Sequence, residues 1–199
     1  MTIINLKKKY IFISNKYCYP QMINNILYQD GYDSCYNGIG MNYVQLKKIL
    51  EKKNINIDEF YIFGFIRDPI DRLLECFKND YRKNIFLKKY GIIFGYNIQS
   101  FITYVSYNYD IDFNNFEFMF HNQEGELSQN INIFKYENII ESLIEIFNKI
   151  NINYDVLEYK KNIKLQCNKI IPPNEFNIPK LTTILIKQKY KYDCKYYNY

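Results

Sequence analysis

Two short apolar runs, each ending abruptly in polar residues and each followed within a few positions by a proline, constrain this chain more than any other feature. The first is YIFIS, Tyr10 to Ser14, flanked by Lys and Asn, and the second is FYIFGFI, Phe60 to Ile66, ending at Arg67. Runs of this length with no polar alternation read as strands buried on both faces, the pattern of a parallel sheet. After the first, Pro20 can open a helix over QMINNILYQD that stops at Gly31. After the second, Asp68 caps, Pro69 opens, and Asp71 holds the third position of a helix with Ile70, Leu73, Leu74, Phe77 and Tyr81 on one face. A third strand, Ile131 to Glu137, precedes a helix whose stripe reads Ile140, Leu143, Ile144 and Phe147. Repeated strand-to-helix transitions predict an α/β domain of three layers, with a central, mainly parallel sheet flanked by helices.

Between these anchors the reading is thinner. Residues 31–40, GYDSCYNGIG, read as a loop, after which Asn42 and Gln45 can form a capping box for a helix with Leu46, Ile49 and Leu50 on its apolar face. Residues 82–130 show no clear period, and only FITYVSY looks regular within them. A polar loop with Pro172, Pro173 and Pro179 precedes a last helix, Leu181 to about Tyr192. At 199 residues and 48% hydrophobic the chain can bury one sizeable core, and with no repeat or linker the expectation is a single domain, 1–199.

Composition excludes more than it selects. The 22 Tyr and 15 Phe accompany abundant Asn, Ile and Lys, a general compositional drift rather than a stacking platform, so no nucleic-acid partner is expected. The net charge of +5 is spread along the chain; it is compatible with an anionic ligand and demands none. Five cysteines without a C-x-x-C pair, and one histidine, argue for a reducing compartment and against a metal site. The N-terminal apolar stretch is too short for a signal h-region, and no stretch reaches membrane-spanning length, which argues for a soluble, cytoplasmic protein.

Ligands of open parallel sheets collect at the carboxyl ends of the strands, where helix N-termini offer N–H groups to phosphate. Two cations stand at such ends, Lys16 in SNKYCYPQ and Arg67 in IRDPID, as a bisphosphorylated nucleotide would require. The order of segments resembles the membrane-associated, carbohydrate-modifying branch of the sulfotransferases. The most specific match is FGFIRDPIDRLLECF, residues 63–77, similar to the family's strand ending in Phe-Val-Arg-Asn-Pro followed by Asp-Arg-Leu. KYIFISNK, IFKYEN (residues 133–138) and the closing KQKYKYDCKYYNY match further family segments in order.

The resemblance implies a P-loop NTPase-like fold and 3′-phosphoadenosine 5′-phosphosulfate as co-substrate, with no metal. It implies transfer of the sulfuryl group to a hydroxyl of a carbohydrate or similar acceptor. Arg67 would hold the 3′-phosphate, Lys16 would hold the 5′-phosphosulfate and stabilise charge on the bridging oxygen, and Asp71 and Arg72 would brace the turn. His121 would be a general base, with Glu124 and Glu126 as rivals in the same segment.

The chain departs from the family pattern at two places. Tyr19 and Pro20 stand where the phosphate loop has Gly and Thr, which removes cradle donors. Glu75 stands at the position of a Ser that binds the 3′-phosphate, so either it turns toward Arg72 or Lys78 or that phosphate is bound differently. Two functions stay open, an active sulfotransferase and a catalytically inert binding protein of the same fold. A P-loop kinase is set aside because G-x-x-x-x-G-K-[ST] is absent.

Overall fold

The computed structural model describes residues 2–15, 18, 21–31, 34–36, 41–82, 98–107, 120, 128, 130–154 and 178–199. They pack into two units, one of Met1–Arg67 with Phe116–Lys169 and one of Asp68–Asn115 with Ile170–Tyr199.

The first unit is built on a five-stranded sheet. Its strands are β1 (Thr2–Asn5), β2 (Tyr10–Ile13), β3 (Ser34–Tyr36), β4 (Tyr61–Ile66) and β5 (Ile131–Lys135), in the spatial order β3-β1-β2-β4-β5. The three strands expected from their apolar runs are neighbours and mutually parallel, with Phe12 level with Phe63 and Phe65 level with Phe134. The other two strands were not expected. β1 forms a hairpin with β2 and pairs antiparallel with both its neighbours, and β3 lies within the stretch that reads as a loop. The hairpin turn places Lys9 at φ 55°, a left-handed conformation usually marked by Gly or Asn, and three-residue β3 is too short to show a period.

The pleat sorts side chains by type. One face carries Ile3, Tyr10, Phe12, Phe63 and Phe65, all fully buried, and the rings of Phe12 and Phe63 stack with centroids 5.2 Å apart. Against this face pack α1 (Gln21–Gln29), through Ile23, Ile26 and Leu27, and α5 (Ile139–Lys149), through Ile139, Leu143, Ile146 and Phe147. The α5 stripe is rotated from the expected one, with Ile144 exposed and Ile146 buried. Isoleucine lies nearly all round this helix, so its period cannot choose the buried side.

The opposite face is aliphatic, with Ile4, Ile11, Ile13, Ile62 and Ile66 buried. Here Gly64 is required by close approach, since a Cβ on it would stand 2.4 Å from Cε1 of the buried Phe120 ring and 3.0 Å from the Ile13 carbonyl oxygen. Helix α2 (Tyr43–Lys52) has the full capping box, Asn42 Oδ1 accepting from Gln45 N–H at 2.9 Å and Gln45 Oε1 accepting from Asn42 N–H at 3.1 Å. Below the sheet, the Lys8 ammonium pairs with Asp30 and donates to the Asn151 carbonyl at 3.0 Å, tying the hairpin to the loops after α1 and α5.

The second unit is helical: α3 (Pro69–Arg82), α4 (Ile98–Tyr107), α6 (Lys180–Lys189) and α7 (Lys191–Tyr197). Asp68 caps α3, its Oδ1 accepting from the N–H groups of Ile70 (2.8 Å) and Asp71 (3.1 Å), as its place before Pro69 predicts. FITYVSY falls in α4, which buries Phe101, Ile102 and Val105. The single closing helix expected to reach Tyr192 is two helices, interrupted at Tyr190 where ψ rises to 38°. Among the described residues no helix is long and apolar enough to cross a membrane.

Candidate functional site

The connections of the sheet single out one place on it. After β2 the chain passes to β3 on the far side of β1, whereas after β4 it passes to β5 on the opposite side. Adjacent parallel strands whose connections leave in opposite directions open a crevice at their carboxyl ends, the usual ligand position in such sheets. Helix α1 follows β2 in sequence and packs on the sheet through Ile23, Ile26 and Leu27.

Arg67 is the first residue after β4 and stands at this edge. Its side chain is nearly buried, 5% exposed, and its guanidinium carbon lies 4.3 Å from the centre of the Tyr136 ring, just past β5. Strand β5 runs level with β4, so the ring arrives beside the cation by register: Ile66 pairs with Lys135, and Arg67 and Tyr136 are the next residues. A guanidinium laid on an aromatic face loses little rotamer freedom on meeting a phosphate, and partial desolvation strengthens the charge-assisted bonds it makes. Tyr136 in this bracing role was not expected from the sequence; its only signal is position, one residue beyond a strand parallel to β4.

At the end of β2, Ser14 and Asn15 are buried, and Asn15 Oδ1 has no hydrogen-bond partner among the described residues. The Asn15 carbonyl accepts from the Cys18 N–H at 3.1 Å, closing a turn, and Cys18 is fully buried in the core beside Ile23 and Phe12. Lys16, the expected phosphosulfate ligand, lies outside the described residues, as does His121. Glu124 and Glu126 lie outside them too. The residues flanking that segment are described: Phe120 packs over Gly64, and its carbonyl accepts from the Ser128 N–H at 3.0 Å.

In the helical unit, Arg72 is 1% exposed at its side chain and pairs with Asp193, 4% exposed, at 2.6 Å, and its guanidinium carbon lies 5.1 Å from the Tyr190 ring centre. Two sequence segments singled out above, residues 63–77 and the closing stretch, thus meet in one buried ion pair. Helix α7 thus supplies the counter-ion of Arg72. Glu75 is half-buried on the second turn of α3. Beside the pair, burial pushes the Cys194 thiol up from its ordinary value, with Asp193 and Asp68 adding and Lys187 and Arg72 opposing. A thiol held protonated in this way is a poor nucleophile at neutral pH.

Among the described residues no group of three His, Cys, Asp or Glu side chains gathers to hold a metal ion. What the sheet edge presents is a nearly buried cation braced on a ring at the carboxyl end of β4, a group suited to binding a phosphate ester. Comparison of the chain with models of protein families, with curated proteins and with solved structures finds no match.

Proposed function

We propose that the protein is a sulfotransferase-like domain of P-loop-like fold. It binds 3′-phosphoadenosine 5′-phosphosulfate at the carboxyl edge of β2 and β4 and transfers the sulfuryl group to a hydroxyl of a carbohydrate or similar acceptor. The observation that carries the reading is Arg67, a nearly buried guanidinium braced on Tyr136 at the point where the connections of two parallel strands diverge. In this reading Arg67 holds the 3′-phosphate, Lys16 neutralises charge on the bridging oxygen as the sulfur–oxygen bond breaks, and His121 accepts the acceptor's proton. By the resemblance, Glu75 replaces a Ser that binds the 3′-phosphate, and its like charge would weaken that binding.

One feature favours the inert alternative, a binding protein that keeps the sheet without the chemistry. The Cys18 N–H is spent on the Asn15 carbonyl and its thiol on the core, so this part of the first loop serves the fold rather than a phosphate.

Thermal unfolding with adenosine 3′,5′-bisphosphate tests the binding. A ligand that binds only the folded state adds about 2.7 kcal/mol at a hundredfold excess over Kd, a readily measured shift. Arg67→Ala abolishes the shift and Glu75→Ser enlarges it. Absence of any shift at millimolar nucleotide in both wild type and Glu75→Ser refutes the reading. A shift without sulfuryl transfer to any hydroxyl acceptor supports the inert alternative.

A further inference from the structure

Helix α6 carries large aliphatic side chains on both of its sides. At 3.6 residues per turn, Thr182 and Ile186 share one side, and both are buried toward α3 and α4. Lys189 flanks them and donates from Nζ to the Val105 carbonyl at 3.0 Å. Opposite lie Lys180, Leu181, Ile184, Lys187 and Gln188, all exposed. Leu181 is 59% exposed and Ile184 44%, where a helix that only covers a core places polar side chains. After the interruption at Tyr190, α7 adds exposed Lys195 and Tyr196.

Along residues 178–199 the exposed side-chain charge has one sign. Asp193 is the only side-chain carboxylate in residues 178–199, and it is buried against Arg72. Among the described side chains, what α6 and α7 show to solvent is therefore lysine, one glutamine, two aliphatic side chains and a tyrosine. Flexible ammonium groups around protruding aliphatics suit a fluid layer of anionic headgroups over an acyl boundary. We infer that the α6–α7 face docks on an anionic lipid surface, Leu181 and Ile184 entering the headgroup–acyl boundary while Lys180, Lys187 and Lys195 meet phosphate and carboxylate headgroups. This inference is independent of the nucleotide reading.

The test is sedimentation of the full chain with phosphatidylcholine vesicles, with and without about one-third phosphatidylserine. The expected result is binding to the anionic vesicles alone, weakened by salt, and reduced roughly tenfold or more both in Lys180→Glu/Lys187→Glu and in Leu181→Gln/Ile184→Gln. Because the chain has no tryptophan, Leu181→Trp supplies a single reporter that needs no destabilising change; its emission shifts to the blue on anionic vesicles. Equal binding to neutral and anionic vesicles, or no blue shift, overturns the inference. So does capture by polyglutamate that equals capture by vesicles and is indifferent to Leu181→Gln/Ile184→Gln, which would mark an acidic polypeptide as the partner.

Discussion

Replacing Asp193 by alanine should destabilise the protein far more than an average substitution, because it strands a buried cation. Arg72 and Asp193 are 1% and 4% exposed at their side chains and 2.6 Å apart. At an effective dielectric constant of 20 their attraction is about 6 kcal/mol, and desolvating the two ions costs several kcal/mol each. The pair is thus close to neutral as a unit, yet removing Asp193 takes away the carboxylate that offsets much of the desolvation cost of Arg72. The Tyr190 ring, 5.1 Å from the guanidinium carbon, offsets only about 1–2 kcal/mol of that cost. Asp193→Ala is therefore expected to lose about 3–5 kcal/mol, and the double variant Arg72→Met/Asp193→Leu to stay within about 1 kcal/mol of wild type. Urea unfolding of the wild type, both single variants and the double variant closes the cycle. In a thermal scan the alanine variant should fall by roughly 6–20 °C. A cost below about 1 kcal/mol for Asp193→Ala, or a double variant as unstable as the summed singles, would refute the argument.

Gly64→Ala forces a Cβ into the Phe120 ring and should cost about 1–3 kcal/mol in urea unfolding, part of which Phe120→Leu restores by opening the space. Asn42→Ala removes the side-chain half of the α2 capping box, the bond from Gln45 N–H to Asn42 Oδ1, and should lower unfolding free energy by about 1 kcal/mol. Burial, with the charge of Glu145 adding, pushes the Tyr61 phenol up to about 12 from 10.0. The folded state then keeps a proton that the unfolded chain releases, so this contribution is full below pH 10 and is lost as pH rises toward 12. Unfolding measured across that window should fall less steeply in Tyr61→Phe, and identical slopes would contradict the assignment.

The strands β2, β4 and β5, and the helices that follow each, were legible because their signals are local. An apolar run ended by a polar residue, a proline at a first helical position and an Asn42–Gln45 box each act within a few residues of chain. Arg67 could be placed at a strand's carboxyl end on the same grounds. Its surroundings could not: the ring that braces it comes from β5, and only the parallel register of β4 and β5 carries Tyr136 to its side.

Other features had no local signal to read. The β1 strand is four residues of a hairpin whose turn is all Leu and Lys, and it becomes a strand because β2 and β3 flank it. Gly64 reads as a neutral glycine in an apolar run until Phe120 is seen against it. The buried side of α5 depends on which isoleucines meet Phe12, Phe63 and Phe65, a choice made by sheet geometry rather than by the helix's own period. Arg72 and Asp193 lie in segments that the sequence singles out separately, and the burial that makes them a pair exists only once α3 and α7 lie together. Amino-acid order by itself determined where β2, β4, β5 and α2 and α3 lie, since caps, prolines and apolar runs act through the nearest backbone groups. Tertiary structure alone decided which side chains meet, since contacts between distant segments form only where packing brings their faces into register.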